Sequence, residues 1–342
     1  MTLAKDFSVL KTRTVGSRAV RCMQALVFLA LTAAHACALS AQPAFPARPI
    51  RFIVPFPPGT STDVVVRLVS QRLADALGQQ IVIDNRAGAS GMLGVEIGAR
   101  AAPNGYTWVL GTTSTHALAP TLNPRLAYDP VKDFAPVTML GDAPYFMTTH
   151  PGIPATSVKA FIAYVRANAG KVHYASVGNA SLGHLSGELF KKAAGIDMVH
   201  VPYKGSTLAM VDLIAGRIQL QITTVPASLP QVKAGKLRAL AVTSRERISV
   251  LPQLPTVAES GLPGYYAALW MTVFVPAGTP PPVIGRINRE LSAAMGADAM
   301  RDALTDQGFV PRPLGPDDAA RLLREETARW RKVIVDAGIK SE

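Results

Sequence analysis

Arg48-Pro-Ile-Arg-Phe-Ile-Val-Pro-Phe-Pro-Pro-Gly-Thr-Ser-Thr-Asp63-Val-Val-Val-Arg67 reads as strand, tight loop and helix start within 20 residues. Ile50, Phe52, Ile53 and Val54 form a short apolar run, and Pro55, Pro57, Pro58 and Gly59 then force the backbone out of regular pairing. The spacing of Val65, Leu68, Val69, Leu73, Ala76 and Leu77 predicts a helix, capped by Thr60 with Asp63 three residues on and stopped by Gly78. The first N–H groups of a helix have no internal partner and sit at the positive end of its dipole, so the loop reads as a cradle for a carboxylate. No Lys or Arg lies between Arg51 and Arg67, so recognition by backbone and hydroxyl groups is expected. A tight βα turn without a ligand is the alternative reading of this stretch alone.

Upstream, the composition changes sharply. Lys5, Lys11, Arg13, Arg18 and Arg21 precede an apolar run from Ala25 to about Ala38, the pattern of a secretory signal peptide over residues 1–40. The run is short for a membrane span, and Ala36-Cys-Ala38 and Ala38-Leu-Ser40 both suit a signal peptidase. Both cysteines, Cys22 and Cys37, fall in or beside this segment, so no internal disulfide is expected after cleavage. Export without disulfides implies a bacterial periplasm, where a chain of 342 residues has core enough to do without them. Losing residues 1–40 removes five Lys/Arg and one acid, which takes the net charge from +12 to +8. A basic balance suits anionic solutes or acidic surfaces. Nucleic acid is disfavoured by export and by the lack of a basic run with interleaved aromatics.

Downstream, strands and helices alternate. Gln80 to Asp84 reads as a strand, followed by the glycine-rich Asn85-Arg-Ala-Gly88-Ala-Ser-Gly91-Met-Leu-Gly94 and a helix. The glycine spacing fits neither a dinucleotide fingerprint nor a phosphate loop. Tyr106 to Leu110 is a third strand, ending in the hydroxyl-rich Gly111-Thr-Thr113-Ser114-Thr-His116, and open α/β sheets bind ligands at such strand ends. After Asp133–Leu140 and Tyr145–Thr149, a second βα block begins near Ser157. It has glycine-rich turns at Gly178-Asn-Ala-Ser181-Leu-Gly183-His184 and Pro202-Tyr203-Lys204-Gly205-Ser206. Leu269 to Val275 reads as a return crossing, Pro282 to Met295 as a helix, and Asp317 to Ala337 as a long helix with Leu323, Trp330 and Ile334 inward. Its Arg321, Arg324, Glu325, Arg329 and Lys332 form a solvated face. The predicted architecture is α/β and two-lobed, with two mostly parallel sheets flanked by helices and a ligand cleft between. Residues 41–146 form the first lobe, 147–254 the second, and 255–342 return to the first.

Ser176 or Ser181, His184 and Asp212 can be assembled on paper into a hydrolase triad. The nearest approach to a nucleophile elbow, Gly178-Asn-Ala-Ser181-Leu-Gly183, has the wrong spacing. No histidine pair stands four apart, so a zinc site is not expected. His184 near a helix start is read first as a capping or packing residue. Repeated loops rich in Gly, Ser or Thr at strand ends, three of which open helices, favour a binder over an enzyme. Closure of the lobes around the ligand is expected to follow.

In order along the chain stand Phe45-Pro-Ala-Arg48-Pro-Ile, Val54-Pro-Phe-Pro-Pro-Gly59 with Asp63, Asp84-Asn-Arg86-Ala-Gly88, and Pro103-Asn-Gly-Tyr-Thr107. Tyr128-Asp-Pro-Val-Lys-Asp-Phe134, Val201-Pro-Tyr-Lys-Gly205 and Pro276-Ala-Gly-Thr-Pro280 complete the series. Together they resemble the periplasmic solute-binding proteins of tripartite tricarboxylate transporters, the Bug/TctC-like proteins, over essentially the whole mature sequence. The resemblance implies a type II-like periplasmic-binding fold, a mono-, di- or tricarboxylate, acidic amino acid or aromatic acid as ligand, and delivery to a membrane permease. It implies no catalysis and no cofactor, and a monomer is expected. Carried onto matching positions, it points to Phe56, Pro58, Gly59, Thr60, Ser61 and Asp63 in the first lobe. In the second it points to Gly178, Ser181, His184, Tyr203, Lys204, Gly205 and Asp212. This chain departs from the family pattern at Thr60, where a second glycine is common, and at Ala87, where proline is common. The Thr60 side chain is expected to narrow the site or add a hydroxyl donor beside Ser61. The alternative functions are an exported hydrolase-like enzyme using His184 and Asp212, and the sensor domain of a transcription regulator, which the signal peptide argues against.

Overall fold

The structure, a computed structural model, describes residues 45–339. The expected signal peptide and both cysteines lie outside the described residues. Strand β1 (Ile50–Val54) leads through the proline loop into α1 (Ser61–Leu77) and β2 (Ile81–Asn85). A short turn brings the chain to α2 (Met92–Ala99) and β3 (Thr107–Thr112), whose end winds into a π-helical turn, Thr113–Leu118, continuing as α3 (Ala119–Leu122). Both β2 and β3 pair parallel with β1. Phe52 of β1 packs edge-on against Trp108 of β3 at 5.6 Å. The Trp108 indole N–H donates to the Gly105 carbonyl, so the largest ring in this part of the core carries no orphaned donor.

Next comes β4 (Phe134–Thr149), almost wholly buried. The sequence suggested two separate pieces here, and the structure makes them one strand. A second βα block follows: α4 (Val158–Ala167), β5 (His173–Ser176), α5 (Leu182–Ala194), β6 (Val199–Pro202), α6 (Ser206–Ile214), β7 (Leu220–Thr224), α7 (Val225–Lys233) and β8 (Arg238–Val242). The chain returns along β9 (Ala268–Pro276), then forms α8 (Pro281–Gly296), α9 (Asp298–Asp306), β10 (Val310–Leu314) and the long α10 (Pro316–Asp336). β5 pairs parallel with β6 and β7.

An antiparallel seam joins the two parallel blocks. The first part of β4 pairs with β9 and β10, and its last residues, from Tyr145 or Phe146 to Thr149, pair with β7 and β8. One sheet of ten strands results, in the order β2-β1-β3-β9-β4-β7-β5-β6, with β8 and β10 also on β4. Alongside β4 the chain crosses a second time through residues 243–267. Thr243 donates its N–H to the Tyr145 carbonyl at 3.0 Å, and Ala267 donates to the Thr243 carbonyl at 2.9 Å, so the two crossings are tied at one point. The inward face of α10 is as expected, with Leu323, Trp330 and Ile334 buried. Arg329 departs from the expected solvated face. It forms a two-pronged pair with buried Glu326, at 2.9 and 2.8 Å, and donates to the Tyr266 carbonyl at 2.9 Å. Glu326 also accepts the Trp330 indole N–H, so burying one acid draws the nearest cation inward with it.

Candidate functional site

At the end of β1 the proline loop is held from below by one carboxylate. Asp63, 1% exposed, accepts the Gly59 N–H at 2.9 Å, the Asn85 side-chain N–H at 2.9 Å and the Arg67 Nε at 2.8 Å. Asn85 also donates to the Phe56 carbonyl at 3.0 Å, so the end of β2 fixes the loop that follows β1. Burial works to raise the Asp63 carboxyl, but the hydrogen bonds from Arg67, Gly59 and Asn85 and the Arg67 charge outweigh it. The group therefore sits below the usual carboxylate range.

This arrangement replaces the expected capping box. Thr60 stands at the N-cap with extended backbone, yet its side chain caps nothing. Its hydroxyl donates to the Pro57 carbonyl at 2.8 Å and meets the Thr62 hydroxyl at 2.9 Å. Asp63 has been drawn away by Asn85 and Arg67, which offer it charge-assisted and buried donors. The first amides of α1, at Ser61 and Thr62, are left without an acceptor among the described residues, and so is the Ser61 hydroxyl. Phe56, Thr60 and Ser61 are partly exposed at this edge, and Pro58 and Gly59 are exposed.

Two neighbouring loops complete the edge. Gly91 has φ +94°, and a Cβ there would stand 2.8 Å from the Thr115 methyl and 3.1 Å from the Phe56 ring; glycine is what lets this loop close on the other two. The turn after β3 is locked by Thr112 and Thr115, whose side chains accept each other's backbone N–H groups. Thr113 is fully buried. It accepts the Trp270 N–H and donates to the Ala268 carbonyl, tying the turn to β9. Ser114, next to it, is half-buried, and its hydroxyl has no hydrogen bond among the described residues. His116 is fully buried, stacked 4.3 Å from Phe274, and burial pushes its pKa down to about 3, so it is a neutral packing residue.

In the second block, Ser181 caps α5 by accepting the His184 N–H at 3.3 Å while donating to the Gly178 carbonyl at 2.7 Å. Ala180 takes a left-handed conformation, φ +58°, and donates its N–H to His184 Nδ1 at 3.0 Å. The ring of His184 lies flat on that of His200, 3.8 Å away, and His200 Nε2 meets Ser176 Oγ at 2.7 Å. Burial first, then the charges of His184 and Lys191, pushes His200 down to about 4. Burial likewise lowers His184. The expectation that His184 packs and caps is met in its geometry. Tyr203 donates to Asp212 at 2.7 Å, and Arg217 pairs with the other oxygen at 2.7 Å. The Tyr203 hydrogen bond and then the Arg217 pair lower the Asp212 pKa. Gly205 opens α6 without a side-chain cap, and Lys204 is exposed.

The structure therefore sets the Phe56–Asp63 loop beside the turn that carries Thr113 and Ser114, with Gly91 between Phe56 and Thr115. Gly178, Ser181 and His184 form a separate cluster, and Tyr203, Lys204, Gly205 and Asp212 lie on the next strand end. Among the described residues no Ser, His and Asp side chains link into a relay. Asp212 binds Tyr203 and Arg217, and His184 binds a backbone amide. Asn85, Gly91, Thr115 and His200, which hold the loops, were not picked out as site residues. Asn85 did stand in the quoted Asp84-Asn-Arg86 motif. Two cavities, of about 570 and 520 Å³, lie away from these loops.

The model of the tripartite tricarboxylate transporter family receptor matches residues 65–339. The chain belongs to this family. It is 40% identical to Protein BugT of Bordetella pertussis over 92% of this chain and 96% of that one. Among solved structures, a protein of R. palustris with adipate is 39% identical, with a TM-score of 0.80 over 87% of this chain and 100% of the other. MatC from Rhodopseudomonas palustris with bound malate is 35% identical, with a TM-score of 0.75 over 85% of this chain and 100% of the other. The fold is thus the two-lobed one of periplasmic binding proteins, and the chain is a periplasmic solute-binding receptor of that family rather than an enzyme.

Proposed function

We propose that this receptor captures a small dicarboxylate between its lobes and delivers it to the membrane permease of a tripartite tricarboxylate transporter. The observation that carries the reading is the uncapped start of α1. The Thr60 hydroxyl is turned to Pro57 and the Asp63 carboxylate to Gly59, which leaves the Ser61 and Thr62 amides for an incoming carboxylate. Ser61 adds a hydroxyl. Thr60 stiffens the loop and donates nothing to the ligand, a revision of the role expected for it. Ser114 stands on the adjoining turn. The second carboxylate meets the loops at Gly178–Ser181 and Tyr203–Gly205, near the exposed Lys204. The lobes divide within β4 and within residues 243–267, and the tie at Tyr145, Thr243 and Ala267 is the pivot. Relatives solved with adipate and with malate support a dicarboxylate in particular.

A thermal-shift screen of ligand-stripped protein against mono-, di- and tricarboxylates, acidic amino acids and aromatic acids tests this. A ligand at roughly 100 times its dissociation constant adds about 2.7 kcal/mol to stability. Dicarboxylates are expected to raise the melting temperature most and to be recovered unchanged. Shifts from monocarboxylates alone, or conversion of the ligand, would overturn the proposal.

A further inference from the structure

Beyond residue 40 the positive charge of this protein is carried by one lobe. Residues 147–254 hold 12 Lys/Arg and 4 Asp/Glu, a net +8, whereas residues 41–146 and 255–342 together balance to zero. The excess is also uneven within the lobe. Neither residues 150–173 nor residues 213–245 contain a single Asp or Glu. Strand register places much of both stretches at one end of the lobe's sheet. Arg238, the first residue of β8, lies opposite Thr149, the last of β4, and the Thr149 hydroxyl reaches the Gln219 carbonyl just before β7. Gln219 in turn bonds the start of β5 at His173. The glycine-rich loops after β5 and β6 leave from the opposite ends of their strands, so this basic end is remote from them.

The exposed cations here are Lys159, at the start of α4, Lys171, ahead of β5, and Lys233 and Lys236, around the end of α7. None is in an ion pair among the described residues, unlike Lys191, Lys192, Arg217 and Arg247 elsewhere in the lobe. Between α4 and the end of α7 lies an open groove of about 520 Å³, lined by Val232, Leu237, Leu251, Leu254 and Pro255, with Thr156 on its wall. Steering an anionic ligand would account for positive charge near the ligand loops. It does not account for acid-free, lysine-bearing stretches along one side of an apolar groove at the other end of the lobe.

We propose that this end of the second lobe is a docking surface for a protein partner that presents an apolar side chain flanked by acidic residues. The groove takes the apolar anchor, and the lysine rim selects the acids and speeds the encounter. A flat anionic lipid surface uses the lysines but leaves the groove empty, so the groove favours a protein. Because the surface is separate from the ligand loops, its occupancy does not depend on which solute the receptor carries.

The test pans a random-peptide display library against the folded protein, then measures the affinity of selected peptides for wild type, for Lys233→Glu/Lys236→Glu and for Thr156→Trp, which fills the groove. Selected peptides are expected to carry an apolar residue between acids, to lose at least about tenfold in affinity in each variant, and to weaken as salt rises. All substituted positions are exposed, so melting temperature and solute binding should match wild type. Peptides without acids, or peptides bound equally by both variants, would overturn the proposal. So would a failure to select any peptide, and binding of vesicles of equimolar phosphatidylethanolamine and phosphatidylglycerol in that case would make the rim a lipid-facing surface.

Discussion

Replacing Asp63 by Asn keeps the shape of the side chain and removes its charge, which isolates what the carboxylate does for the first ligand loop. One oxygen faces the Gly59 N–H and the Arg67 Nε, and the other faces the Asn85 N–H. In Asp63→Asn one of these sides must meet an NH₂ group donor to donor. Asn85 cannot relieve the clash by flipping, because its NH₂ also donates to the Phe56 carbonyl and its oxygen accepts from Arg67. A hydrogen bond to a charged group contributes about 1.5–3 kcal/mol, and the half-exposed Arg67 adds at most about 1. The variant should therefore lose about 2–3 kcal/mol at neutral pH. The sign of the pH dependence follows from the lowered pKa of the folded state. The contribution is fully present above the unfolded value of about 3.9 and is lost as pH falls through the lower folded value. Urea unfolding of both proteins from pH 7 to pH 3 measures this. The gap should be full near neutrality and shrink in acid, with weaker solute binding at pH 7 as the loop loosens. A gap under about 0.5 kcal/mol at pH 7, or one that does not change with pH, would refute the reasoning.

Gly183→Ala puts a Cβ 2.7 Å from the Ile222 carbonyl, so α5 must lift off the sheet, at about 1–3 kcal/mol by chemical denaturation. His200 is held down to about 4, so wild-type stability falls as pH drops from about 6.5 toward 4. His200→Gln should flatten that limb by about 2 kcal/mol relative to wild type in pH-dependent urea titrations. Trp330→Ala empties the buried face of α10 and frees Glu326 of one donor; a loss of about 3–5 kcal/mol is expected by the same assay.

The first βα unit was legible because its punctuation is local: prolines end β1 and Gly78 ends α1. What escaped the sequence reading is held from a distance or hidden by proline. β4 looked like two pieces because Gly141-Asp-Ala-Pro144 interrupts it, yet pairing on both sides, with register shifts near that point, carries the strand through. β10 contains Pro311 and Pro313 and survives as an edge strand, pairing with β4 alone. α7 contains Pro226 and Pro230; the first sits in the opening turn, where its missing N–H costs little. At the site, the loops could be named from glycine and hydroxyl content. Their supports could not, since Asn85 reaches Asp63 across 22 residues and His184 lies on His200 across the rest of α5 and the turn into β6. A capping box read from spacing cannot foresee that a neighbouring strand will outbid the N-cap for its acid.

The most direct test follows the backbone amides of residues 60–63 by NMR while a bound dicarboxylate is titrated in. If the open start of α1 receives a carboxylate, the Ser61 and Thr62 amides shift downfield and exchange more slowly with solvent as the site fills. Saturation of the site with those amides unmoved would contradict the account, since the ligand would then be held without the feature from which its capture was argued.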